Sequence, residues 1–165
     1  MGLLRSATLP GQRLALGFTL IELSVVVAVL AIVASVAAPG LGAFVSGQRV
    51  KALTHDLGSD LQFARSEALK RGAVVDVTPR SGNWAAGWVV ASGGIDILSR
   101  EAVAEALQVS DAPSAISFNV HGRVAVPTSA VRITVRSSVA AGGLAARCVE
   151  LDLSGRSSTK IGVCT

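Results

Sequence analysis

The chain has 165 residues, half of them hydrophobic, and its Lys and Arg residues outnumber Asp and Glu by 15 to 11. That length holds one modest domain beside an apolar segment. The residues present give a catalytic reading no support. His55 and His121 stand alone, no Cys or carboxylate cluster has metal-ligand spacing, Gly93-Gly94 does not by itself make a phosphate loop, and nothing arranges the Ser, His and Asp residues as a triad. No metal or cofactor is expected.

Residues 1–17 form a short polar and basic leader containing Arg5, Pro10, Gly11 and Arg13. Removing its two arginines lowers the cationic count from 15 to 13 against 11 acids, a net charge near +2. From Leu23 to Leu41 no residue is charged. At ~1.5 Å rise per residue that segment makes a helix of roughly 28 Å, close to the hydrocarbon thickness of a bilayer, so residues 18–41 are read as a transmembrane span. The leader arginines face no acid on their side. By the positive-inside rule the leader stays cytoplasmic and the body crosses the membrane, which in a two-membrane bacterium places it in the periplasm. Glu22 is the odd residue, an acid one turn inside an apolar helix, where a charge is costly unless paired or near the interface. Headgroup depth near the positive end of the helix dipole would suffice for it; a partner on another molecule is the other solution.

The run Gly17-Phe18-Thr19-Leu20-Ile21-Glu22-Leu23, following a basic leader and opening an uncharged span, resembles the processing motif of type IV prepilins and type II secretion pseudopilins. The resemblance implies that a prepilin peptidase cuts between Gly17 and Phe18, that Phe18 is then N-methylated, and that the apolar segment is kept. An ordinary secretory signal loses its apolar core. It further implies that Glu22 pairs with the new amine of a neighbouring subunit and that Pro39 stands where the family often loosens its helix. Proline removes a backbone donor and clashes with the preceding turn, so a kink is expected there.

Helical spacing resumes over residues 42–72. Val50, Leu53, Leu57, Leu61, Ala64 and Ala68 recur at three- and four-residue steps and make one apolar face. Arg49, Lys51, Asp56, Asp60, Arg65, Glu67 and Lys70 are assigned to the other face, with His55 exposed, and Gly72 is the expected stop. An amphipathic half-helix needs a partner layer, which residues 73–165 must supply. There the pattern changes to short β-rich segments at 73–78, 87–91, 95–98, 115–120, 131–136 and 148–153, separated by turn residues. Trp84 and Trp88 are read as core or sheet-edge packing. Residues 103–109 suit a helical turn or an irregular strand, 140–146 read as a loop, His121 falls in a turn before Gly122, and no internal repeat is visible. An oxidising periplasm would let Cys148 and Cys164 pair, closing a loop that contributes on the order of 3 kcal/mol; two buried thiols are the alternative.

The body is similar to the GspH/FimT group of minor pilins and pseudopilins. The similarity runs through 61–72 with Val74, through Phe118-Asn119-Val120-His121-Gly122-Arg123, and through Leu153-Ser154-Gly155-Arg156 towards Cys164; it is loosest over 95–115. The fold so implied is α+β and pilin-like: one long amino-terminal helix, its first half membrane-spanning and its second half amphipathic, packed against a mainly antiparallel β-sheet domain. Two functions share that scaffold. The first is a minor pseudopilin of a type II secretion system, a non-enzymatic subunit anchored in the inner membrane and assembled with other pseudopilins in a periplasmic filament. The second is a type IV minor pilin that binds double-stranded DNA during transformation. DNA-binding members carry Gly-Arg-x-Arg near the carboxy terminus, whereas this chain has Gly155-Arg156-Ser157-Ser158 with Lys160 nearby. Arg123, Arg132, Arg136, Arg147, Arg156 and Lys160 would make a phosphate-binding stripe if the strands brought them to one face; otherwise they are solvated strand charges, some paired with Glu150 and Asp152. A third reading is an anchored binding module that never polymerises, marked by retention of the leader.

Overall fold

The computed structural model describes residues 18–101, 107–138 and 146–165, the side chains of 36–40 excepted. The chain divides into two compact units between Ala38 and Pro39.

In the first unit, helix α1 (Leu20–Arg71) begins at a capping-box sequence, Thr19-Leu20-Ile21-Glu22. The Thr19 hydroxyl accepts from the Glu22 N–H at 3.2 Å, and the Thr19 carbonyl accepts from Leu23. Every residue from Phe18 to Ser35 is exposed. The hydroxyls of Ser24 and Ser35 turn back onto the carbonyls of Ile21 and Ile32, each at 2.7 Å, so beyond Glu22 this segment offers its surroundings hydrocarbon. A run of bare apolar side chains this long calls for a lipid or protein surface to cover it. Among the described residues no helix is long and apolar enough to cross a membrane. The expected span of 18–41 runs into 36–40, and the kink expected at Pro39 falls on those residues too, Pro39 itself lying within the bounds of α1.

In the second unit, Val50, Leu53, Leu57, Leu61, Ala64 and Ala68 are buried, on the face their spacing predicts. Two residues assigned to the solvent face are corrected. Asp60 and Glu67 are both buried, Asp60 under Arg100 and Trp88 and Glu67 against Arg71 and Lys70. A carboxylate can be buried on an amphipathic helix when cations and N–H donors close over it. Gly72, with φ of 60°, follows the last helical residue.

Among the described residues nine strands follow: β1 (Val75–Pro79), β2 (Trp88–Ser92), β3 (Ile95–Arg100), β4 (Leu107–Ser110), β5 (Ile116–Phe118), β6 (Val124–Val126), β7 (Val131–Ser137), β8 (Ala146–Leu151) and β9 (Ser157–Ile161). They form a five-stranded sheet in the order β3-β2-β1-β5-β6 and a four-stranded sheet in the order β4-β7-β8-β9, and every neighbouring pair is antiparallel. All six expected segments are strands. Sequence reading missed β6 and β9 and left β4 ambiguous. β6 is three residues long, and β9 (Ser157-Ser158-Thr159-Lys160-Ile161) has no apolar alternation, so pairing with β8 rather than its own composition makes it a strand. The helical alternative for Ala104-Glu105-Ala106 and most of the expected 140–146 loop lie outside the described residues.

One core joins the helix face to both sheets, with Leu57 and Leu61 against Val75, Val77, Ile116 and Phe118 of the first sheet and Ile133, Val135 and Val149 of the second. Each fully buried side chain of this size contributes about 1.5–3 kcal/mol. Trp84 and Trp88 are both buried, 6.3 Å apart, and each indole N–H finds an acceptor: the Pro113 carbonyl at 2.7 Å for Trp84 and the Asp60 carboxylate at 3.0 Å for Trp88. Arg100 donates two hydrogen bonds to the same carboxylate, at 2.7 and 3.0 Å. The edge strand β3 is thereby tied to the second half of the helix.

Candidate functional site

The cations expected to form one stripe are divided by the strand register. Residues directly opposite in an antiparallel pair share a face. Arg132 lies opposite Glu150, Arg136 opposite Ala146, and Lys160 opposite Cys148, which puts Arg132, Arg136 and Lys160 on the outer face of the second sheet. Arg147 lies opposite Val135 and Ile161, on the face that looks toward α1. Lys160 donates to Glu150 at 2.6 Å, and this bond, chiefly, lowers the Glu150 pKa below the usual carboxylate value. The outer face also carries the carboxy-terminal tail. Cys148 and Cys164 form a disulfide, and the Cys164 N–H donates to the Thr134 hydroxyl at 3.1 Å, so Thr134 is buried on a side that would otherwise be open.

Arg123 and Arg156 occupy a different place, at the tips of two turns built alike. In the β5–β6 turn, the Asn119 side-chain oxygen accepts from the N–H groups of His121 and Arg123, the Asn119 N–H donates to the Arg123 carbonyl, and the Gly122 N–H donates to the Asn119 carbonyl. In the β8–β9 turn, an Asp152 oxygen accepts from the Arg156 N–H at 3.0 Å and from the Ser154 hydroxyl, the Asp152 N–H donates to the Arg156 carbonyl, and the Gly155 N–H donates to the Asp152 carbonyl. Gly122 and Gly155 both take left-handed φ, 68° and 81°, where a side chain costs roughly 1–2 kcal/mol. The two turns are alike in sequence as well as in hydrogen bonding. Asn119-Val120-His121-Gly122-Arg123 and Asp152-Leu153-Ser154-Gly155-Arg156 share an Asx residue, a β-branched or Leu residue, and Gly-Arg, a signal short enough to be lost in a chain with 17 glycines.

The two turns lie against each other and against the helix. The Val124 N–H donates to the Leu153 carbonyl at 3.2 Å. A methyl group on Gly155 would come within 2.4 Å of the Gly122 carbonyl oxygen, and one on Gly122 within 2.9 Å of Leu69. Arg65 and Gln62 of α1 both donate to the Gly155 carbonyl, at 3.1 and 3.2 Å. Arg65, which sequence reading left on the solvent face, is a clamp on this pair of turns. Three arginines therefore gather at one end of the body. Two are held in place: Arg65 donates to the Gly155 carbonyl, and Asp152 meets the Arg156 guanidinium at 3.4 Å; hydrogen bonds from Ser154 first, then the Arg156 backbone, bring the Asp152 pKa down to about 2.

At the amino terminus, Phe18 and Glu22 are exposed, and among the described residues nothing pairs with the Glu22 carboxylate. Gly17 lies outside the described residues. Among those residues no group of three or more His, Cys, Asp or Glu is placed to hold a metal.

A long amino-terminal helix opening on exposed hydrocarbon, with its second half packed under antiparallel sheets, defines a pilin-like subunit. The model of the type II transport protein GspH family matches residues 53–155, and that of the prokaryotic N-terminal methylation motif matches 13–38. The chain belongs to the GspH family, whose members are structural pilin-like subunits. Two crystal structures of the type IV minor pilin FimU of Pseudomonas aeruginosa share its fold. One is 21% identical with a TM-score of 0.59, over 71% of this chain and 92% of that one; the other is 20% identical with a TM-score of 0.54, over 67% and 91%. No match was found among curated proteins.

Proposed function

We propose that this chain is a minor pseudopilin of a type II secretion system, a non-catalytic subunit whose work is assembly. A prepilin peptidase removes residues 1–17, Phe18 becomes the methylated amino terminus, and residues 18–41 anchor the subunit in the inner membrane with its β-rich body in the periplasm. In the filament the Phe18 amine of one subunit meets Glu22 of the next, which gives the acid its partner and fixes the stagger, and Pro39 loosens the helix between anchor and body. The observation that carries secretion over DNA capture is the state of the cations. Arg156 and Lys160 are each held by a carboxylate, and Arg147 stands on the opposite sheet face from Arg132 and Arg136. Duplex binding scales with the phosphates neutralised, about one unit of salt slope each, and a divided, paired set supports few.

A second reading, a type IV minor pilin that takes up double-stranded DNA, draws support from Arg65, Arg123 and Arg156 meeting at the two abutting turns, and from Gly155-Arg156 itself. Deleting the gene in its host separates the two readings. For a pseudopilin, release of exported proteins falls to background while DNA uptake is unchanged, and a chain carrying both Arg123→Ala and Arg156→Ala restores release. Normal release with lost uptake, not restored by the double variant, transfers the assignment to DNA capture.

A further inference from the structure

The sheet that ends in β9 has an open edge, and that edge faces a groove. Among the described residues β9 pairs only with β8. The phase of the ladder follows from its two ends: the Asp152 N–H donates to the Arg156 carbonyl, and the Gly162 N–H donates to the Ala146 carbonyl. Hydrogen-bonded positions alternate along an antiparallel pair, so the backbone groups of Ser158 and Lys160 point to β8. Those of Thr159 and Ile161 point away from it, to the free edge.

Beyond that edge lies α1. Helix and strand meet at Gly58, whose carbonyl accepts from the Ser157 hydroxyl at 3.4 Å, and Gln62 donates to the same hydroxyl at 3.0 Å. From this closed end the two elements bound an open groove of about 460 Å³ that continues into a second of about 270 Å³. Lys51 and Arg147 line both, His55 lines the first, and Phe44 and Ile161 line the second. Among the described residues neither groove has an Asp or Glu in its lining. Arg147, misplaced for a stripe with Arg132 and Arg136, is placed for this groove.

We propose that the groove between α1 and β9 is a docking site for an extended, acidic peptide segment of another protein, which adds to the second sheet as a strand beyond β9. The free backbone groups of Thr159 and Ile161 supply ladder hydrogen bonds, the mode by which sheet edges recruit strands, and Lys51 and Arg147 select carboxylate side chains. A nucleic-acid strand fits less well, because single strands rely on stacking platforms and the described lining offers Phe44 in one groove and the His55 imidazole in the other, with no Trp or Tyr. The proposal goes beyond the assembly role and does not depend on which filament the subunit joins.

The test uses the full chain in non-ionic detergent micelles, with a fluorescein-labelled octapeptide of alternating Glu and Val, read by anisotropy at low and high salt. Binding is expected to weaken about tenfold with Lys51→Glu or Arg147→Glu, as for truncation of an interfacial charge pair. It is also expected to be lost with Thr159→Pro, which removes an edge donor but no bond of the β8–β9 ladder, proline being tolerated on an edge whose N–H faces solvent. Far-ultraviolet circular dichroism checks that each variant is folded. In hydrogen exchange the Thr159 and Ile161 amides should slow on adding peptide, while those of β3, the free edge of the other sheet, should not. Absence of binding at low salt, binding indifferent to Thr159→Pro in a folded variant, or equal binding of an oligothymidylate of the same charge would each overturn the proposal.

Discussion

Asn119 and Asp152 do the same work in the two Gly-Arg turns, but only one of them titrates. The folded-state pKa of Asp152 lies at about 2, below its ordinary value of 3.8. A depressed carboxylate pKa means that the stabilisation is fully present above pH 3.8 and is lost as the pH falls through about 2. The β8–β9 turn should therefore loosen across that window while the β5–β6 turn, nucleated by a neutral amide, holds. The Arg156 and Gly155 amide resonances followed from pH 5 to 2 would show it, with Gly122 and Arg123 as the internal reference. Asp152→Asn should abolish the transition without disturbing the turn at neutral pH, since Asn119 already shows that an amide oxygen suffices. A transition that persists in the variant would place the titrating group elsewhere.

Among elements, the register of α1 on the first sheet is set by polar bonds as well as by packing. Leu57 and Leu61 provide burial, but apolar side chains tolerate small slips that a carboxylate bound by a bidentate guanidinium does not. Asp60→Ala leaves the buried Trp88 N–H without an acceptor and Arg100 without its partner. Because Arg100 is still partly exposed and can rehydrate, the expected loss is about 2–3 kcal/mol, read as a lower urea midpoint with unchanged slope. A loss near zero would mean that water or another acceptor replaces the carboxylate. The same cluster shows how far pattern reading reaches. The spacing of Val50, Leu53, Leu57, Leu61, Ala64 and Ala68 located the buried face, yet it assigned Asp60 and Glu67 to solvent, because their partners come from β2 and β3 in one case and from the end of the same helix in the other.

For the whole molecule, the exposed hydrocarbon from Phe18 onward and the lone Glu22 define what assembly must satisfy. Under the proposed pairing, Glu22→Val should leave membrane insertion unchanged, since it makes the segment more apolar, but would leave the neighbour's Phe18 amine unpaired at a cost of about 3 kcal/mol per contact. Fractionation should find the variant in the inner membrane, and chemical crosslinking in intact cells should find it missing from the ladder of pseudopilin complexes; crosslinking at the normal level would remove Glu22 from the assembly mechanism. The amino-terminal processing signal, the helix face, six of the strands and the conditions for a disulfide were all readable in the sequence, because each depends on near neighbours: a charge in an apolar run, a three-to-four residue step, an alternation bounded by turns. Which cations act together depended on strand register, a relation between residues distant in the chain. Pairing with β8 made β9 a strand and an open edge, the β7–β8 register put Arg147 on the opposite face from Arg132 and Arg136, and the packing of the two turns brought Gly122-Arg123 against Gly155-Arg156 under Arg65. Local sequence determines what each segment is; the long-range hydrogen bonds of the sheets decide which side chains share a surface.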